Sequence, residues 1–257
     1  QDIPKTDTQD FVALAARIHP GLDGTAMPSF SSGISCNRDN TEAVQALVHS
    51  WRTAFPEAGE PYWSVRSWTL LIWQPAFIAV LGVHCMGGVP PVDRLWQRLE
   101  HGIVAGFRLP SQGWTGAVAS EEARIERAGE LLAGVRDRLL ADLNGVVRLK
   151  RVSAHRLMAD TLLAALRTLA NLSPAFTPDR IQALSEHWLA AAGLRNQRHF
   201  MPLTLAGGQA ALGLDRKGCC MHYRRNDGSY CSSCPKLSHS ERVQRQLEEL
   251  SHEAVAV

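Results

Sequence analysis

The sequence predicts a mainly α protein of the α+β kind: a helical body followed by a small C-terminal antiparallel β-hairpin and a cysteine-rich segment. Three observations predict it. Apolar residues recur at helical spacing through most of the first 195 positions. Helix start and stop signals punctuate that stretch at intervals suited to helices of ordinary length. After position 196 the pattern changes to two short runs around Gly207-Gly208, and the cysteines follow at once. The chain accordingly divides into a body, 1–195, and a C-terminal module, 196–257.

In chain order, residues 8–18 (TQDFVALAARI) form a short helix stopped by Pro20. A Gly/Pro/Ser-rich loop runs from Gly21 to Ser35. Asn40 or Thr41 caps a second helix, along which Val44, Leu47, Val48 and Trp51 recur at helical spacing. The stretch from Trp51 to Trp73 is rich in aromatic residues and leads into the apolar run Leu70 to Met86, LLIWQPAFIAVLGVHCM. That run falls short of the roughly 20 residues a membrane span needs. It also contains Gln74, Pro75, Gly82 and His84, so a buried core helix is expected in preference to a membrane-dipping one. Gly87, Gly88, Pro90 and Pro91 end it, and Val92–Leu99 is expected to be a short helix.

Gly102 to Val118 carries five glycines and prolines and reads as loop or irregular strand. Ser120 opens a long amphipathic helix with Ile125, Leu131, Leu132, Val135, Leu139 and Leu143 on one face, and Asn144-Gly145 stops it. Residues 146–152 (VVRLKRV) form a strand or a linker before a helix from Ser153 to about Ala170. Thr177-Pro178 caps the next helix, which ends at Gly193. Phe200 to Ala206 and Ala210 to Asp215 form the hairpin. Ser238 and Glu241 make a capping box for a last helix that places Val243, Leu247 and Leu250 on one side.

Composition narrows the function classes. At 257 residues, 45 % hydrophobic and 20 % charged, the chain has the make-up of an ordinary globular protein with a real core. A net charge of +2 with no basic stripe or reading motif gives no nucleic-acid partner. No GxGxxG, P-loop or GxSxG pattern is present, so a built-in nicotinamide site or nucleotide chemistry is not expected. Gln1 to Pro20 carries Asp2, Lys5, Asp7, Asp10 and Arg17 and no signal-peptide core, which points to the cytoplasm. The apolar run leaves room for peripheral association with the inner membrane.

The chemistry concentrates in the cysteines. Of six, Cys36 and Cys85 stand apart; the other four lie in GCCMHYRRNDGSYCSSCPK, from Gly218 to Lys236, as Cys-Cys-x10-Cys-x2-Cys. A disulfide scaffold is normally short and cysteine-dense throughout, whereas local clustering in a long chain favours a metal or cluster site in a reducing compartment. Four thiolates at Cys219, Cys220, Cys231 and Cys234 are the complement for a [2Fe–2S] cluster or for tetrahedral zinc. Neighbouring side chains diverge, so the Cys219-Cys220 doublet suits a two-iron unit better than one zinc ion. A structural-zinc binding protein remains the alternative on composition alone, as does an iron–sulfur electron carrier or redox sensor. His222 lies within the segment as a lesser ligand candidate.

The cysteine pattern, with Tyr223-Arg224 after the doublet, resembles the C-terminus of the FhuF-like ferric-siderophore reductases. The hairpin before it and the tryptophan-rich stretch RSWTLLIWQPAFIAVLGVH (66–84) are similar to the same family, although the specific part of the likeness covers only about the last 40 residues. About 20 residues follow Cys234, more than the family pattern leads one to expect.

The resemblance implies a [2Fe–2S] cluster on Cys219, Cys220, Cys231 and Cys234. It also implies one-electron reduction of Fe(III) in hydroxamate-type siderophores in the cytoplasm, so that the metal is released as Fe(II). An electron donor would then be a separate ferredoxin-like protein or flavoprotein. Arg216, Lys217, Arg224, Arg225 and Lys236 surround the cysteines and are candidate contacts for that partner or for an anionic chelate. Trp63, Arg66, Trp68, Arg108 and Trp114 are candidate chelate contacts by composition, with core packing the competing role for the tryptophans. The histidines at 49, 84, 101, 155, 187 and 199 show no metal-binding spacing.

Overall fold

The computed structural model describes residues 8–26, 33–117, 119–197 and 199–255. Residues 27–32 of the glycine-, proline- and serine-rich stretch, and Asp2, Lys5 and Asp7 near the start, lie outside it. The described helices are α1 (Thr8–Ile18), α2 (Thr41–Ala54), α3 (Gly59–Cys85), α4 (Glu121–Asn144), α5 (Arg151–Thr168), α6 (Pro178–Ala191) and α7 (His239–Val255). The strands are β1 (Gly24–Thr25), β2 (Ile34–Ser35), β3 (Trp96–Glu100), β4 (Ile103–Arg108), β5 (Phe200–Thr204) and β6 (Ala210–Leu214).

Local chemistry sets most helix ends. The Ser120 hydroxyl accepts from the Ala123 amide and Thr177 from the Arg180 amide, each satisfying a first-turn N–H that would otherwise lack a partner. At the start of α7, Ser238 Oγ accepts from Glu241 N at 3.2 Å while Glu241 Oε2 accepts from Ser238 N at 3.0 Å, the reciprocal pair of a capping box. Asn40 behaves differently. It precedes α2 but makes no cap bond; its side chain instead holds the Ser35 amide and reaches Asp142 of α4.

The axis of the body is α3, which packs against α2, α4 and α5. It is apolar around most of its circumference because neighbours cover it on several sides, as a core helix requires. It is long and apolar enough to cross a membrane, and most of its apolar stretch is buried within the protein. Pro75 interrupts its hydrogen-bond ladder, since proline has no N–H for the carbonyl of Leu71. The fully buried Gln97 of β3 replaces that donor: its Nε2 lies 2.9 Å from Leu71 O. Trp68 Nε1 donates to Ala154 O of α5 at 2.9 Å, and its ring is wholly buried.

Close helix approach elsewhere rests on small residues. A Cβ added to Gly129 of α4 would stand 2.4 Å from the Ala191 Cβ of α6 and 2.6 Å from its carbonyl carbon. Gly129→Ala is therefore expected to destabilise the protein by about 1–3 kcal/mol through overpacking. This outweighs the roughly 0.5–1 kcal/mol that alanine gains in a helix interior, and a chemical-denaturation midpoint checks it.

One sheet was not expected. Strands β1, β4, β3 and β2 form a four-stranded sheet in that order, with β1 parallel to β4 and the other pairs antiparallel. The helix expected over Val92–Leu99 is instead a single 3-10 turn, Val92–Arg94, followed by β3. Val92, Leu95, Trp96 and Leu99 have helical spacing, but pairing of β3 with two neighbours prevails over that local preference. Residues 103–108, read as loop or irregular strand, are the paired strand β4. The linker alternative holds for residues 146–150, since α5 begins at Arg151.

The C-terminal hairpin pairs Phe200 with Leu214 through Thr204 with Ala210. It leans on α5 and α6 through β6, and α7 packs on both of its strands. Gln246 of α7 joins helix to strand: its Oε1 accepts from Leu214 N at 2.6 Å and its Nε2 donates to Leu214 O at 3.3 Å.

Candidate iron–sulfur site

The hairpin delivers the chain to the site. Asp215 at the end of β6 pairs with Arg242 of α7, and Arg216 turns inward to pair with Asp160 of α5 at 3.0 Å. The doublet Cys219-Cys220 follows. Met221 then takes a left-handed conformation (φ 58) that starts the 3-10 turn His222–Arg224. Gly228 closes the loop where a Cβ would lie 2.0 Å from the His222 carbonyl oxygen, so only glycine fits. Cys231 and Cys234 bracket a second turn, in which Cys234 N donates to Cys231 O at 3.0 Å.

These two turns face each other. Cys220 Sγ and Cys231 Sγ lie 3.9 Å apart. Cys219 interacts electrostatically with Cys220 and Cys234, and Cys231 with Cys234. Cys234 is buried, the other three of the segment are half-buried, and none of the six cysteines is disulfide-bonded. Among the described residues, no three His, Cys, Asp or Glu side chains converge at the spacing of a single metal ion.

The surroundings act differently on the individual sulfurs. The Met221 amide donates to Cys219 Sγ at 3.4 Å, and Arg216 Nη1 to Cys231 Sγ at 3.9 Å. The hydrogen bond from the Cys231 thiol pulls Cys220 down to about 5 against the opposing effect of burial, and the Cys231 proton is held more tightly in return. Burial pushes the Cys219 thiol up. The two isolated cysteines stand apart from this chemistry: burial raises Cys36, and it raises Cys85 to about 11.

The donor set fits an iron–sulfur cluster. Four thiols come from two facing turns, with the Met221 amide directed at Cys219 and a guanidinium at Cys231, which is how a protein compensates a thiolate-bound cluster. The comparison with protein families falls on the same residues. Residues 216–236 match the family model described as the FhuF 2Fe-2S C-terminal domain. This segment is similar to a FhuF-type [2Fe–2S] domain. The match covers the cysteine segment and not the helical body, and no solved structure matches the chain.

The FhuF-type segment is fastened to the body at two places. At the corner between α2 and α3, Arg224 Nε donates to Ala58 O at 2.6 Å, Asn226 N donates to Glu57 Oε1 at 3.1 Å, and the Arg225 guanidinium lies 3.8 Å from the centre of the Phe55 ring. On α5, Asp160 holds Arg216. Helix α7 braces the cysteine turn from outside: Arg245 Nη1 donates to Tyr230 O at 3.1 Å and Ser232 Oγ to Glu249.

The expected basic contacts therefore separate. Arg216 is turned in toward Asp160 and Cys231, with 15 % of its side chain exposed. Arg224 and Arg225 serve in part as anchors, Arg225 also pairing with Asp227. Lys217 is exposed, and Lys236 is exposed with its Nζ 4.8 Å from the centre of the Tyr223 ring, which in turn contacts Tyr230. His222 is engaged with Arg225 Nη1 and the Ser229 carbonyl.

The candidate chelate contacts do not come together. Trp68 is core, Trp63 Nε1 donates to Phe55 O, and Trp114 Nε1 donates to Thr8 while its ring packs on Phe11. Arg108 lies over Trp96 in a groove whose lining contains none of the cysteines. Only Arg66 reaches the site. It sits over Trp51 at 4.7 Å, within electrostatic range of Cys220 and Arg225, and burial lowers its pKa. Of the histidines, His84 is buried between Glu121 at 3.1 Å and Trp188 at 2.9 Å.

Sequence reasoning missed Asp160. Its signal was present: one carboxylate in the otherwise apolar buried stripe of Leu157, Met158, Leu162 and Leu163, where a charge needs a partner.

Proposed function

We propose that this protein is a one-electron reductase of ferric hydroxamate-type siderophores, with Cys219, Cys220, Cys231 and Cys234 as the ligands of its [2Fe–2S] cluster. One observation carries the reading: the FhuF-type match, residues 216–236, contains all four cysteines, and Cys220 and Cys231 from its two turns lie 3.9 Å apart. When bound, such a cluster supplies single electrons at low potential.

The substrate chemistry needs no more than that electron. Hydroxamate oxygens hold Fe(III) tightly and Fe(II) weakly, so reduction frees the metal without breaking a bond in the chelator. The protein's own residues have three tasks. The cysteine turns hold the thiolates together. The Met221 amide, Arg216 and Arg66 set positive charge against them. The exposed Tyr230 and the half-buried Tyr223, with Lys236 and Lys217, offer an aromatic and cationic face beside Cys231 on which an anionic chelate or an acidic donor can rest. The donor is a separate ferredoxin-like protein or flavoprotein. The setting is the reducing cytoplasm, with peripheral contact to the inner membrane where chelates enter.

The test is direct. Protein reduced under anaerobic conditions is mixed with a ferric hydroxamate in the presence of an Fe(II) trap. Capture faster than with the reductant alone is expected, and the rate should fall to that control in Cys234→Ser. Equal rates for native protein and control would leave an iron–sulfur electron carrier that does not act on siderophores.

A further inference from the structure

We infer that Asp160 and Arg216 form a redox-tuning couple: Asp160 of α5 positions the Arg216 guanidinium against the Cys231 sulfur, and that contact raises the reduction potential of the cluster. The inference rests on the ligand assignment above and assigns a role to two residues outside the ligand set.

The geometry carries it. Arg216 Nε lies 3.0 Å from Asp160 Oδ2, and Nη1 of the same planar head lies 3.9 Å from Cys231 Sγ. The side chains are only 15 % and 6 % exposed, so water screens the charge weakly. A cation fixed next to a ligand sulfur favours the reduced state, which carries one more negative charge than the oxidised state. The anchor lies on the helical body, and the guanidinium belongs to the cysteine segment. The potential therefore depends on how the segment is seated on α5. Gly218 of the segment is buried at this seat, where a Cβ would lie 3.3 Å from Leu157 Cδ2 and 3.4 Å from Asp160 Oδ2 of α5.

The readout is the midpoint potential, followed by visible absorption and electron paramagnetic resonance in a redox titration of the full chain. Cluster content is measured as iron and sulfide for every variant. Arg216→Gln is expected to lower the midpoint, changing the oxidised-to-reduced ratio at a fixed potential by about tenfold, or about 59 mV for a one-electron couple. The effect should be non-additive with Asp160. In an Asp160→Asn background the same substitution should shift the midpoint by less than half as much, because the guanidinium is no longer held against the sulfur. This comparison cancels the direct effect of the Asp160 charge.

If Arg216→Gln does not retain iron, Arg216→Lys gives the same reading. Its ammonium cannot serve Asp160 and Cys231 through two arms of one rigid head, so the midpoint again falls, though less. An unchanged midpoint in a variant with full cluster content would overturn the tuning role. An equal shift in both backgrounds would overturn the positioning role of Asp160. Native protein without a cluster would instead overturn the ligand assignment on which the couple depends.

Discussion

Replacing Cys231 or Cys234 with serine is expected to abolish the visible chromophore and nearly all bound iron while leaving the helical body folded. A serine hydroxyl is a poor substitute for a thiolate toward iron, so loss of one ligand opens the cluster to water and oxidation. The two positions differ in what else is disturbed. Cys231 is half-buried and lies between Cys220 and Arg216, so its replacement removes one end of two contacts at 3.9 Å. Cys234 is only 1 % exposed, and a serine there also leaves a hydroxyl in need of a partner, at a cost of about 1–3 kcal/mol. Far-ultraviolet circular dichroism should change little in either variant, because the helices α2 to α6 take their stability from the core around α3. Iron content and the visible spectrum check the first half of the expectation, and the thermal transition of the helical signal checks the second. A variant of either cysteine that kept a full cluster would show that the ligand lies elsewhere.

The largest loss of stability is expected at Trp68. Its ring is fully buried where α3 crosses α5, and its indole N–H is satisfied by Ala154 O. Trp68→Ala removes that ring and leaves a cavity, for which about 3–5 kcal/mol is typical. Total stability for a domain is about 5–15 kcal/mol, so the loss is a large share of the whole. The denaturant midpoint should fall accordingly. Because Asp160 lies on the same helix as Ala154, loosening the α3–α5 contact should also weaken the seat of Arg216 and make iron easier to remove with a chelator. Tyr230 provides the contrast. At 42 % exposed it sits outside the core, and Tyr230→Ala should change stability by no more than about 0.5 kcal/mol.

The features that the sequence made legible are those with local causes. Ser120, the Asn144-Gly145 stop, Thr177-Pro178 and the Ser238/Glu241 box each satisfy backbone groups within a few residues, and each marks a helix end that the structure retains. The hairpin after residue 200 was legible for the same reason. The four-stranded sheet was not. β1 and β2 are two residues each, too short for any periodicity, and exist because β4 and β3 pair with them. β3 has helical spacing of its apolar residues. The contrary signal was the two-residue turn His101-Gly102, both at positive φ (50 and 77), a conformation that joins hairpin strands.

The same distinction holds at the site. The four cysteines announce themselves by spacing, since residues in two short facing turns are close in sequence as well as in space. Arg66 of α3 lies within electrostatic range of Cys220 and Asp160 of α5 holds Arg216, and no local pattern links either to residues 216–236. Helix α7 shows the limit from the other side. Its capping box and apolar stripe were readable, but its bonds to Leu214, Tyr230 and Ser232 depend on how the hairpin folds back.

The central claim is that the thiols of Cys219, Cys220, Cys231 and Cys234 together hold a two-iron cluster. Metal and acid-labile sulfide analysis of protein purified without oxygen tests it most directly. Iron and sulfide in equal amounts, about two of each per chain, with red-brown colour that bleaches on reduction, is the predicted result. A colourless protein carrying zinc without sulfide, or one whose four cysteines are paired in stable disulfides, would contradict it.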